Sequence, residues 1–200
     1  MTSAPVASAP GGARHPGAVG AFALFGEVLW TGILVALCSL PIVTLPASLA
    51  AGIRHLRRYV QARDSRVALY FSDVRSALLP GGLGVGFAAA AAVGVLVLQL
   101  VVVPGTGLPG AEAELVAVVA LLVAVLTLLS VASAGWAPSR GWRYALGMAV
   151  HRVTADPVGA LLVVVAVGLT ALAAWQLPPL LVPALGCLAF AMTVITARRR

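Results

Sequence analysis

The chain has 200 residues, 61% of them hydrophobic and only 10% charged, with a mean hydropathy of +1.05. Soluble domains carry about 25% charged residues, so this composition excludes an ordinary soluble fold and points to an all-α bundle that crosses a bilayer several times. The formal charge of +7 comes from 13 basic residues, all of them arginine and all beside apolar runs, where they read as topology signals and attraction to anionic lipid, not as a nucleic-acid surface.

Residues 1–17 are rich in Ala, Pro, Ser and Gly and read as a disordered tail. Only Arg14 and His15 precede the first apolar run, and that run exceeds a signal-peptide core, so it reads as a retained span over about 18–44. Glu27 is the only carboxylate in any expected span. A charge at mid-bilayer costs about 2.5–3.5 kcal/mol on insertion scales, which makes Glu27 a candidate protonatable or ion-binding group. If the span begins near Phe22, Glu27 instead lies near the outer interface.

Pro41 and Pro46 then break the helix, since proline removes a backbone donor and clashes with the preceding turn. Ser39 and Thr44 are placed to satisfy the freed carbonyls. Pro41, Thr44 and Pro46 therefore form a candidate helix break, either an ordinary kinked end or a ligand-facing discontinuity. After it, Leu49, Ile53, Leu56 and Val60 fall at helical spacing with Arg54, Arg57 and Arg58 off that face, the pattern of a basic helix on the membrane surface.

Tyr70, Phe71, Val74 and Leu78 form an apolar stripe ahead of a second span over 82–103. In that span Gly82, Gly86, Ala90 and Gly94 recur every four residues, a spacing that lets helices approach closely. Gln99 near its end suits an interhelical hydrogen bond. A loop with Glu112 and Glu114 but no arginine leads to a third span over 115–134. Trp142, Ala145, Leu146 and Ala149 then make a second short amphipathic helix. Spans over 158–177 and 180–196 follow, separated by Pro178-Pro179, and the chain closes on Arg198-Arg199-Arg200. Arg75-x4-Pro80-x-Gly82 and Arg152-x4-Pro157-x-Gly159 share one spacing, which suggests a parallel repeat of surface helix, hinge and two spans.

The expected architecture is therefore about five spans with short amphipathic helices in the cytoplasmic loops. Twelve arginines fall on one side and only Arg14 on the other, so the positive-inside rule puts the N-terminus outside and the C-terminus in the cytoplasm. Arginine without lysine, amid so much Ala, Val, Gly and Leu, suggests a GC-rich bacterial genome and a bacterial cell membrane.

Reactive constellations are missing from the sequence. His15, His55 and His151 have no metal-ligand spacing, and Cys38 and Cys187 are isolated in apolar runs, as buried free thiols are. Gly82-Leu-Gly84-Val-Gly86 follows no strand and lacks the dinucleotide fingerprint, and there is no phosphate-binding Walker loop. These absences argue against an enzyme, a cofactor and a metal.

One string is more specific. Trp30, then Cys38-Ser39-Leu40-Pro41-Ile42-Val43-Thr44, then Ala50-Ala51, Arg54 to Arg58 and Phe71 together resemble the signature of the YesL-like family of bacterial membrane proteins. The match covers residues 28–100, and the later spans agree only in hydropathy. Pro46-Ala47 stands where many relatives carry Gly-Pro, and the aromatic segment after the basic helix is reduced to Phe71-Ser-Asp-Val-Arg-Ser-Ala-Leu. The resemblance implies a five-span protein of unknown activity, often encoded beside sugar-uptake transporters. The expected role is an accessory or scaffold component of carbohydrate uptake, partnered by the lipid bilayer and sugar-transporter subunits. The alternative is a small transporter or channel subunit acting as a homo-oligomer.

Overall fold

A computed structural model describes residues 20–79, 81–105 and 109–198. The expected tail over 1–17, the Pro80 hinge and Arg199–Arg200 lie outside the described residues. Among those described there are eight α-helices: α1 (Ala21–Cys38), α2 (Leu45–Val60), α3 (Val67–Leu78), α4 (Gly82–Val102), α5 (Ala111–Gly135), α6 (Gly141–Ala155), α7 (Pro157–Gln176) and α8 (Leu181–Ala197). Four of these stretches, α1, α4 with its 3-10 extension to Gly105, α5 and α7, are long and apolar enough to cross a membrane; α8 is apolar but has only 17 residues. Large apolar side chains such as Phe87, Leu98, Leu121, Leu161 and Leu169 point outward, as they do on helices solvated by lipid.

The path of the chain follows from where small residues let backbones meet. Gly32 of α1 lies against the Val182 carbonyl, and Gly186 of α8 lies against the Val28 carbonyl, so a Cβ on either glycine would overlap backbone. Lower numbers on α1 meet higher numbers on α8, so these two helices run antiparallel. α1 and α2 form a tight hairpin: Ser39 pairs with Ser48, Gly52 packs on Val35, and Glu27 meets His55. At the far end of α2, Arg57 reaches Thr196 near the end of α8. The start of α1, the end of α2 and the end of α8 therefore share one end of the bundle. The turn between α1 and α2 lies beside Gly86, one turn into α4, and Ser133, near the end of α5.

The helix break is well satisfied. The Thr44 hydroxyl donates to the Cys38 carbonyl and, at 2.7 Å, to the Pro41 carbonyl. The Ser48 hydroxyl donates to Leu45 at 3.1 Å. Pro46 sits in the first turn of α2, where a missing N–H costs nothing. The apex packs on α4, where Gly86 leaves room for the Val43 carbonyl. Ser133 of α5 donates to the Pro46 carbonyl at 3.2 Å. Irregular backbone is tolerated at membrane depth only when covered by protein in this way.

The expected surface helix is instead a core element. Every residue of α2 from Pro46 to Ile53 is buried, along with His55 and Leu56. The reason is composition: Ala47, Ser48, Ala50, Ala51 and Gly52 are small enough for α1, α4, α5 and α8 to close in from several sides. Only the last turn emerges. In contrast, α3 and α6 form where the short amphipathic helices were expected. They bury Tyr70 and Val74, and Trp142, Ala145 and Ala149.

Three smaller expectations differ. Gly82 and Gly86 make close contacts, but Gly94 has open space around it, because it lies on the exposed side of α4. Gln99 is exposed on α4. Cys187 is exposed and Cys38 half-buried; both are free thiols.

Candidate functional site

Charged side chains of α1, α2 and α3 meet along the last turns of α2. The spacing of Ser48, Gly52 and His55 aligns them on the face of α2 that meets α1. This alignment brings the His55 Nε2 within 2.7 Å of Glu27 Oε1, a hydrogen bond joining the one expected intramembrane carboxylate to a fully buried imidazole. Glu27 thus lies toward the end of the bundle where the arginines of α2 sit. The His55 Nδ1 is buried and has no hydrogen-bond partner among the described residues. Tyr70 closes the pocket from α3, edge-on to the imidazole at 6.2 Å. Its hydroxyl donates to the Ser48 carbonyl at 3.4 Å. Burial, with the Cys38 thiol beside it, pushes the Tyr70 phenol above its ordinary range, so it stays protonated.

The three expected basic residues of α2 each find a partner. Arg54 and Arg58 share the carboxylate of Asp73 on α3, at 3.3 Å and 2.6 Å. Asp73 is buried, and a buried charge needs such pairing. Arg54 also stacks over Trp136, 5.6 Å from the ring centroid, and Trp136 in turn lies against Trp142. Trp142 Nε1 donates to the Ala77 carbonyl at 2.7 Å and ties α6 to α3. Arg57 donates to the Ala134 carbonyl at 3.4 Å and the Thr196 hydroxyl at 3.1 Å, closing the ends of α5 and α8. Cations in these positions also favour the negative ends of α2, α5 and α8.

Beside this network lies a cavity of about 580 Å³. Its polar wall carries Arg54, Arg57, Arg140 and Arg152, its floor Val131, Val163, Met192 and Ile195. Asp156 is the carboxylate of the lining. It also caps α7, its Oδ1 accepting from the Gly159 N–H at 2.9 Å. Among the described residues no group of three or more His, Cys, Asp or Glu could hold a metal ion.

The site therefore contains Glu27, Arg54, Arg57 and Arg58 as picked out from the sequence, while Pro41, Thr44 and Pro46 form the turn that aims α2 at it. The sequence reading missed His55, Asp73 and Arg152 as participants. A signal for His55 existed in the small-residue stripe Ser48, Gly52, which runs straight into it. Compared with protein-family models, curated proteins and solved structures, the chain gives no match in any of the three.

Proposed function

We propose that the chain is a multi-pass membrane protein that works as a binding component of a larger assembly, with the arginine end as its working face. The observation that carries this reading is the concentration of arginines at one end, with Trp136, Trp142 and the pairing of Arg54 and Arg58 with Asp73, on a bundle whose long helices expose large apolar side chains. The positive-inside rule places that end in the cytoplasm, with the start of α1 and the end of α8 both on that side. The partner class is the one implied by the YesL-like resemblance, subunits of a carbohydrate-uptake transporter in a bacterial cell membrane. Purification of the tagged protein from its native membranes in mild detergent tests this. Transporter subunits recovered in fixed ratio support the accessory role. A chain recovered alone or only with itself sinks it.

A second reading, a small transporter subunit, is favoured by the buried Glu27–His55 pair. Intramembrane ionisable groups mark ion or proton pathways more often than plain structure. Glu27→Gln in reconstituted vesicles separates the two: lost solute flux with unchanged folding supports transport, and unchanged flux removes it.

A further inference from the structure

We propose that the cavity at the arginine end binds a phosphate-bearing anion. Its volume of about 580 Å³ falls within the roughly 300–1,000 Å³ of small-ligand sites. Four arginines line it against one carboxylate, Asp156, which can balance only one of them. Nor is Arg54 neutralised fully from behind, since it shares Asp73 with Arg58 and two guanidinium groups divide one negative charge. The surroundings of the cavity are therefore in positive excess. Planar guanidinium forks match phosphate oxygens in pairs, which makes phosphate the best-fitting anion.

A purely structural account assigns these arginines to helix ends. It explains Arg57, which holds the ends of α5 and α8 together. It does not explain why two further arginines converge from opposite ends of α6. Arg140 precedes α6 and is positioned by stacking on Tyr144, 5.0 Å from the ring centroid. Arg152 comes from the last turn of α6 and lies over Gly135, where a Cβ would sit 2.6 Å from its Nη1. The glycine at the end of α5 thus makes room for a guanidinium beside the cavity. The floor is apolar and continuous with the helical bundle, so the cavity suits a ligand with a charged head and a hydrocarbon body. The membrane supplies this chemistry as an anionic phospholipid headgroup; the aqueous phase supplies it as free phosphate or a phosphate ester. This inference does not depend on the docking partner, since anion binding and co-purification can succeed or fail separately.

The test uses the full chain purified in neutral detergent and titrated with short-chain phosphatidylglycerol, short-chain phosphatidylcholine and inorganic phosphate, bound copies being counted by native mass spectrometry. We expect saturable one-to-one binding of phosphatidylglycerol, at least about ten-fold tighter than phosphatidylcholine. The Arg140→Gln/Arg152→Gln variant should weaken it by about ten-fold or more, while Arg152→Lys, which keeps the charge but loses the paired donors, should fall between that variant and wild type. Displacement by millimolar inorganic phosphate assigns the soluble source; failure to displace assigns the lipid. Equal binding of the two lipids by the wild-type chain overturns the proposal, whether or not the double variant folds. So does a folded double variant that binds phosphatidylglycerol as tightly as wild type.

Discussion

Tyr70 shows what burial does to a single side chain here. Its phenol is fully buried, and its hydrogen bond to the Ser48 carbonyl is long at 3.4 Å. Burial disfavours the phenolate, so the folded protein holds the proton more tightly than the unfolded chain, whose phenol titrates near 10.0. A group with a raised folded pKa contributes stability that is whole below the unfolded value and is lost as pH climbs past it. We therefore expect thermal stability in detergent to fall more steeply for wild type than for Tyr70→Phe between about pH 9 and 11.5, with parallel curves between about pH 6 and 9. Equal slopes in the alkaline range would show that the phenol ionises without unfolding anything. The variant itself should cost no more than about 1 kcal/mol at neutral pH, the worth of one weak hydrogen bond. The sequence displayed Tyr70 only as part of an apolar stripe. Its role as a lid on His55 was not legible, because the stripe does not say which helix it will face. The same limit hid the Glu27–His55 pair. Glu27 stood out as the lone intramembrane acid, but its partner lies 28 positions away and reaches it only because α2 turns back.

At the scale of elements, the hydrophobic pattern gave the helices and their order, and proline chemistry gave the break before α2. Packing partners were another matter. The small-residue stripe of α4 looked like the principal close-contact face, yet only Gly82 and Gly86 are used in that way. A further close contact is Gly32 on Gly186, two glycines on helices far apart in the chain, for which no local spacing is diagnostic. Their contrast with Gly168 of α7, which has open space around it, gives a direct comparison. Gly186→Ala adds a methyl group where the Val28 carbonyl stands, and backbone cannot step aside as a side-chain tip can. Overpacking of this kind costs about 1–3 kcal/mol, whereas Gly168→Ala gains up to about 1 kcal/mol of helix propensity. Denaturant unfolding in detergent should rank the chains Gly168→Ala, wild type, Gly186→Ala, in falling order of stability. A Gly186→Ala variant as stable as wild type would mean that α1 and α8 do not meet at these glycines.

For the whole molecule, the decisive element is the one that the sequence suggested should lie outside the bundle. Read as a surface helix, α2 leaves five crossings and an outside N-terminus. Packed between α1, α3, α5 and α8, it is the second arm of a hairpin, and the antiparallel pairing of α1 with α8 predicts that the start of α1 lies on the same side as the end of α8. The prediction is a labelling pattern. In a Cys38→Ala/Cys187→Ala background, single cysteines at Gly20→Cys, Ser65→Cys and Arg198→Cys should react with a membrane-impermeant reagent from the same side, and Gly110→Cys from the other. Reaction of Gly20→Cys from the Gly110 side would break the antiparallel pairing of α1 with α8 and restore the five-span topology. If Gly20 instead labels with Ser65, α1 and α2 enter and leave the membrane on one side. The Glu27–His55 pair then lies toward the side that Ser65 faces and draws its protons from there.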